Sequence, residues 1–448
     1  MTLEEALAMI ARLEARIAEL EQQLGKNSKN SDKPPSTDPP WKDPAAPGSK
    51  KKRPRRRGMW RALVDEAKVD RIEHVRPSIC PRCFGKLSGE PCKQAVRHQV
   101  VEIPEVRADV TEYRLEALAC RRCYTVTRAQ MPGHAPKSPF GPRLMAQVAV
   151  LSSAYRLSKR QIQSLLKAQW GIEISLGGIS QIEARVSEAV RVPYEAVREH
   201  VTQAPVVFAD ETPWKQRNRL AWLWTAGTKD AVAFQIHRRR TSEVAQSLLS
   251  KDFRGTLVSD RYSGYAFVPW DQRQVCWAHL LREFTAMSEL NESVPRYVGE
   301  QVVARLGEMF ALWRTFRARE MDEQPFFAAI EPVCQQIEST IELGANASHP
   351  ETRSRCRSIL KSREAFFRFV RYPGVEPTNN RAERALRHGV IYRKVSLGTQ
   401  SDRGSRFVER MLSVVQTLRL QARNAHAFLY EAATALLTGR AAPALLPS

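Results

Sequence analysis

The apolar positions change period several times along the chain, and each change marks an expected element. Leu3, Ile10, Ile17 and Leu24 recur in heptads, with Ala6, Leu13 and Leu20 at the second core position. That repeat predicts a short coiled coil over residues 1–26, with a single amphipathic helix as the alternative. The stretch G-K-N-S-K-N-S-D-K-P-P-S-T-D-P-P buries almost nothing and runs into K-K-K-R-P-R-R-R. Residues 27–58 therefore read as a basic, disordered linker. Alternation in V-V-E-I-P-E-V and V-T-E-Y-R-L predicts short strands between Val96 and Leu118, inside a module over residues 59–135. From Pro142 to Tyr194 the period is helical. Within residues 136–200, Ser158 as N-cap and Gly171 as a stop predict the order of a helix-turn-helix, with DNA contact as the expected role.

From Pro205 the period shortens again. P-V-V-F-A-D, A-W-L-W-T-A-G, A-V-A-F-Q-I-H and G-T-L-V-S-D are apolar, β-rich and bounded by turns or charge. They predict strands of a mixed sheet, with a helix over Thr241 to Lys251 between the last two. Val294 to Val370 is helical in pattern, and Arg406 to Leu437 predicts one or two long amphipathic helices. The expected core thus comes in two parts, residues 201–289 and 371–448, separated by a helical block over 290–370.

Charge narrows the class. The 448 residues carry 70 Lys+Arg against 48 Asp+Glu, a formal net charge of +22. Such an excess points to a polyanion, with nucleic acid the first candidate. Lys50, Lys51, Lys52, Arg53, Arg55, Arg56 and Arg57 form a dense run suited to phosphate-backbone contact; a nuclear-import signal is the formal alternative. The start, M-T-L-E-E-A-L, lacks the basic and apolar regions of a signal peptide, and no uncharged apolar run is long enough for a membrane helix. A soluble, cytoplasmic protein without a membrane partner is expected. The 8 cysteines are too few for a disulfide framework.

C-P-R-C at Cys80 and Cys83 and C-R-R-C at Cys120 and Cys123 each place two thiolates on a tight turn. Four thiolates suit closed, tetrahedral Zn²⁺ with a structural role. A redox pair is the weaker reading, and Cys92 is a spare thiol nearby. Asp210 ends V-V-F-A-D and Asp260 ends T-L-V-S-D. Side chains at such strand ends converge on one site. Two aspartates and a helical glutamate would hold two hard cations about 4 Å apart for phosphoryl transfer. Either aspartate alone reads more readily as the start of a turn. Glu383 lies in E-P-T-N-N-R-A-E-R-A-L-R-H. Thr378 or Asn380 can cap a helix beginning about Arg381, and with Asn380 as N-cap Glu383 falls at a capping-box position. It is equally suited to a metal, with Arg384, Arg387, Arg393 and Lys394 placed for a DNA strand. Glu211 points away from the site if its strand continues. Cys276 and His279 in C-W-A-H have ligand-like spacing; a core cysteine beside a near-site histidine is preferred to a second zinc site.

In chain order, Asp210, Asp260 and Glu383 resemble the DDE triad of RNase H-like transposases. G-K-N-S-K-N-S-D-K-P-P-S, the two C-x-x-C pairs, A-D-E-T-P-W, S-D-R-Y-S-G-Y followed by C-W-A-H-L-L-R-E-F, and N-N-R-A-E-R-A-L-R narrow this further. Together, spanning most of the chain, they resemble the insertion-sequence-66 family of bacterial transposases. The resemblance implies an α/β multidomain protein with an RNase H-like mixed-sheet catalytic core and a helical insertion. An N-terminal coiled coil, a zinc-binding module and a helix-turn-helix-like segment would precede that core. It implies Asp210, Asp260 and Glu383 as catalytic ligands of two Mg²⁺ or Mn²⁺. Cys80, Cys83, Cys120 and Cys123 become zinc-finger positions, and Asn379 and Asn380 the amides before the glutamate. The implied activity is metal-dependent cutting at transposon ends and joining of the freed 3′-hydroxyls to target DNA. Implied partners are double-stranded DNA, further copies of the chain on that DNA and two small accessory proteins, in the bacterial cytoplasm at the nucleoid. The rivals are a zinc and helix-turn-helix regulator with an inert sheet domain, a nuclease without strand transfer, and a DNA-bridging protein.

Overall fold

A computed structural model describes residues 9–10, 12–13, 27, 30–31, 62–91, 95–133, 135–136 and 138–446. Most of the expected coiled coil and linker, all of Lys50 to Arg57, and Cys92 lie outside the described residues. Two compact units are present, Pro39–Ala108 and a larger one of Met1–Asp38 with Asp109–Ser448.

In the smaller unit the described chain is extended and open. Val96, Val100 and Ile103 are 98%, 80% and 83% exposed. Residues 95–116 form no strand, which corrects the expectation for V-V-E-I-P-E-V and V-T-E-Y-R-L. Alternation supplies a face, but a strand needs a neighbour's N–H and C=O groups, and Pro104 removes a donor.

Beyond Asp109, the larger unit forms a short antiparallel hairpin, β1 (Ala117–Ala119) and β2 (Val126–Arg128). Helices α1 (Pro142–Ser153), α2 (Lys159–Trp170), α3 (Leu176–Ala189) and α4 (Arg191–Gln203) follow. As expected, Ser158 caps α2, with Gln161 closing a reciprocal capping box, and Gly171 ends it at φ 65°.

Strands β3 (Val206–Gln216), β4 (Arg219–Gly227) and β5 (Val232–His237) form an antiparallel meander. After α5 (Ser242–Leu249), strands β6 (Thr256–Ser259) and β7 (Arg273–Val275) add in parallel on the other side of β3. The order is β5-β4-β3-β6-β7. All four expected strands form; the short β7 was not expected. One boundary is corrected: β3 does not end at Asp210 but continues to Gln216, because β4 offers an antiparallel partner along its whole length. The charges and proline of E-T-P-W-K-Q conceal that continuation in the sequence.

The chain then becomes helical: α6 (Trp277–Ser288), α7 (Ser293–Arg317), α8 (Glu323–Ala345), α9 (Pro350–Leu360) and the single turn α10 (Arg368–Arg371). Helices α11 (Asn380–Ser396), α12 (Asp402–Leu420) and α13 (Ala425–Thr438) complete it, so the C-terminal pattern resolves into two helices after α11. No helix among the described residues is long and apolar enough to cross a membrane.

Alternation along the strands divides the packing. Phe208 and Val258 join a core with α6, α7 and α8, whereas Val207, Ala209 and Leu257 join a larger core that includes α1, α3, α12 and α13. The exposed edge of β5 is closed by a helix. Val232, Phe234 and Ile236 donate their N–H groups to Thr417 Oγ1, Ser413 Oγ and Glu409 Oε1 of α12, at 3.1, 2.9 and 2.6 Å. Every second strand residue meets every fourth helix residue, so side chains replace the missing strand.

Candidate active site

Strand period and register bring the two aspartates together. Phe208 pairs with Val258 in the parallel β3–β6 ladder. Two residues further on, Asp210 and Asp260 follow on the same face of adjacent strands. Both are half-buried. Asp210 Oδ1 accepts from the Glu211 N–H at 2.9 Å, and Asp260 Oδ1 accepts from the Tyr262 N–H at 3.0 Å. Burial, then the negative charges of Glu211 and Asp260, hold the Asp210 carboxyl well above the usual carboxylate range.

Helix α11 lies over that face, anchored to β3 at both ends. Asn379 is fully buried, and its Nδ2 donates to Ala209 O at 2.8 Å, one residue before Asp210. At the other end, Thr399 N donates to Lys215 O at 2.9 Å. Gly398 makes that approach possible, since its φ is +95° and a Cβ would collide with the Lys215 carbonyl. The Trp214 and Tyr392 rings meet between these anchors, 6.1 Å apart.

The N-cap of α11 is Asn379 and not Asn380, and no side chain caps the helix. The capping-box expectation for Glu383 is therefore corrected. Its backbone N–H bonds to Asn379 O at 3.2 Å, one position later than that motif requires. Asn379 spends its amide on the strand, and the Glu383 carboxylate is left free of that role, half-buried, 4.0 Å from His279 Nδ1. Cys276 and His279 come from the start of α6, and the Asn379 N–H donates to Cys276 Sγ at 3.2 Å. Burial disfavours a charged His279, but the Cys276 sulfur and the Asp260 carboxylate outweigh it and lift the ring to about 9.

Glu211 takes the opposite face, as expected of a continuing strand. Its side chain is 1% exposed and pairs with Arg240 at 2.7 Å. Tyr265 OH donates to its other oxygen at 2.7 Å. Arg240 in turn lies over the rings of Tyr262 and Trp222.

Among the expected DNA-contacting cations, Arg384, Arg387 and Lys394 are exposed on α11. Arg393 is instead tied to β3, donating to Pro213 O and, at 3.5 Å, to Thr212 Oγ1. A cleft of about 750 Å³ beside the start of α11 adds Arg314, Arg317 and Arg381 to Arg384. Glu376 offsets two of these, lying 3.0 Å from Arg317 and 2.9 Å from Arg381.

Each cysteine pair sits on its own turn, and the two turns match. Cys80 N donates to Gly85 O and Phe84 N to Cys80 O; Cys120 N donates to Thr125 O and Tyr124 N to Cys120 O. Phe84 and Tyr124 take the same left-handed conformation, at φ 54° and 56°. Hydrogen bonds from the Cys83 and Arg82 backbones lower the Cys80 thiol, and those from Thr125 lower Cys123.

Comparison with known proteins places the chain among its relatives. The model of the transposase IS66 family matches residues 137–407, and that of a family of unknown function, DUF6444, matches residues 2–63. The uncharacterized protein y4qI of Sinorhizobium fredii (strain NBRC 101917 / NGR234) is 28% identical over 391 residues, covering 79% of this chain and 70% of that protein. The uncharacterized protein y4hP of the same strain is 23% identical over 405 residues, 82% of this chain and 72% of that protein. Since the first match spans more than half the chain and takes in Asp210, Asp260 and Glu383, the chain belongs to the IS66 family of transposases.

Proposed function

We propose that the protein is a DDE transposase that cuts DNA at transposon ends and joins the freed 3′-hydroxyls to target DNA. The observation that carries this is the placement of two aspartates on the same face of adjacent strands, the Asp210 carboxyl raised by burial and then by the charges of Glu211 and Asp260, beneath a helix that carries a third acid. The mixed order β5-β4-β3-β6-β7 supports an RNase H-like core, and the helical block between α6 and α11 supports an insertion into it.

The donor set fits a hard cation. Asp210 and Asp260 offer carboxylate oxygens, and a divalent ion would offset the burial and neighbouring negative charge that raise the Asp210 carboxyl. Asp210, Asp260 and Glu383 would hold two Mg²⁺ or Mn²⁺. When bound, these ions supply Lewis-acid stabilisation of the phosphoryl group and a lowered pKa for the attacking water or 3′-hydroxyl. The chain's own part is positioning. Asn379 fixes α11, which carries Glu383, against β3 one residue before Asp210. Arg384 and Arg387 offset phosphate charge along α11, and α2 with α3 docks DNA as a helix-turn-helix.

Zn²⁺ held by Cys80, Cys83, Cys120 and Cys123 belongs to the same proposal, supported by the matching turns and lowered thiols. So do the coiled coil, assembly of several copies on DNA, the two accessory proteins and a place at the nucleoid. The test is strand transfer of labelled element ends into plasmid under Mg²⁺, with cell extract supplying partners. Joined products are expected. Nicked products alone would identify a nuclease, and DNA binding without reaction would identify a regulator.

A further inference from the structure

The start of α6 holds chemistry that phosphoryl transfer by three acids does not use. Cys276 Sγ, a ring nitrogen of His279 and a Glu383 carboxylate oxygen all lie within 4.8 Å of one another. Cys276 is the N-cap of α6, and His279 sits in its first turn, three residues on and facing the same way. Glu383 arrives from α11, whose start is held by the Asn379 N–H bond to Cys276 Sγ. The sulfur therefore already accepts one N–H, at the N-terminus of α6.

A core pair would leave no polar atom wanting, yet His279 Nδ1 is buried with no hydrogen-bond partner, and Asn379 Oδ1 is another such atom. The 4.0 Å to Glu383 is too long for a hydrogen bond. An ion between the two would satisfy both. Access is open, because the His279 and Glu383 side chains are 25% and 32% exposed while Cys276 is buried.

We propose that Cys276, His279 and Glu383 bind a borderline metal ion, Zn²⁺ first among them, at a site that shares Glu383 with the hard-cation site. Thiolate and imidazole are ligands that Zn²⁺ takes readily and Mg²⁺ does not. Three protein ligands leave a fourth position open. Binding displaces the protons of sulfur and ring. Resting on the transposase reading, a second consequence follows. Glu383 has one carboxylate, so Zn²⁺ here withdraws it from Asp210 and Asp260 and inhibits strand transfer.

The test uses the full chain and Co²⁺ as a visible probe of thiolate ligation. Wild type is compared with Cys276→Ser, His279→Gln and Glu383→Gln, with circular dichroism to confirm folding. Serine and glutamine keep a hydrogen-bonding group at each buried position. Bound metal per chain and the thiolate–Co²⁺ absorption are measured without DNA, so the result does not depend on catalysis. Cys276→Ser is expected to lose one metal per chain relative to wild type. His279→Gln and Glu383→Gln are expected to weaken that metal by at least about tenfold, the scale seen when even an outer partner is lost. Equal metal content and absorption in all four folded proteins overturns the site. Added Zn²⁺ is expected to suppress Mg²⁺-dependent strand transfer in wild type. Metal lost in the variants, with wild-type transfer unaffected by Zn²⁺, overturns the competition.

Discussion

Asp210 and Glu211 are neighbours in the chain and occupy opposite faces of β3, and their surroundings could hardly differ more. Glu211 is enclosed, with a guanidinium on one oxygen and a phenol on the other. Asp210 has a single backbone N–H, and another carboxylate beyond it. One acid is already neutralised by the protein; the other awaits a positive charge. The difference teaches that an acid's role follows from the partners its face supplies, and that a one-residue step along a strand exchanges structure for chemistry.

The largest separation of the two should come from Asp210→Asn. Strand transfer should fall on the order of 10²–10³ or more, the scale of losing a group that stabilises a charged transition state. Thermal melting should hold or rise, because a buried, repelled charge is gone. A variant that melts much earlier would put Asp210 on the structural side. Glu211→Ala should do the reverse. It strands Arg240 and Tyr265 and should cost about 3 kcal/mol in denaturant unfolding, the lower end for a broken buried pair because Arg240 is partly exposed. An unchanged midpoint would erase the contrast.

Asn379→Ala probes what keeps the Asp210 face assembled. The lost bond to Ala209 O should lower stability by about 1 kcal/mol. Strand transfer should drop by roughly tenfold or more as Glu383 loses its placement. Equal, small losses in both would make Asn379 a packing residue only. The smallest effect concerns Glu409, which closes the β5 edge. Burial raises this carboxyl above its ordinary range, against the Ile236 N–H and Arg406. A raised acid contributes stability that is full below its unfolded pKa and lost as pH rises through the folded one. Glu409→Gln, which keeps an acceptor for Ile236, should therefore flatten the fall in melting temperature between acid and neutral pH.

Much of this was legible from residue patterns, in places where one physical rule dominates. V-V-F-A-D and T-L-V-S-D show strands because apolar runs that short are buried on both faces, and the acids stand out against them. Ser158 and Gly171 mark α2 because caps are local chemistry. Other features depend on partners distant in the chain. The continuation of β3 needs β4, the three-residue β7 needs β6, and residues 95–116 show alternation without any ladder to join. Asn379 and Asn380 look alike in sequence; only the carbonyl of Ala209 decides which one caps α11 and which amide turns inward. No spacing rule links Cys276 and His279 to Glu383, since the helical block lies between them.

The most direct test of the central claim is the strand-transfer assay on Asp210→Asn, Glu211→Gln and Glu383→Gln beside wild type, with DNA binding measured on each. Joined products from wild type and Glu211→Gln, and none from the other two despite intact binding, is the expected result. Strand transfer that survives Asp210→Asn or Glu383→Gln at the wild-type rate contradicts catalysis by these acids.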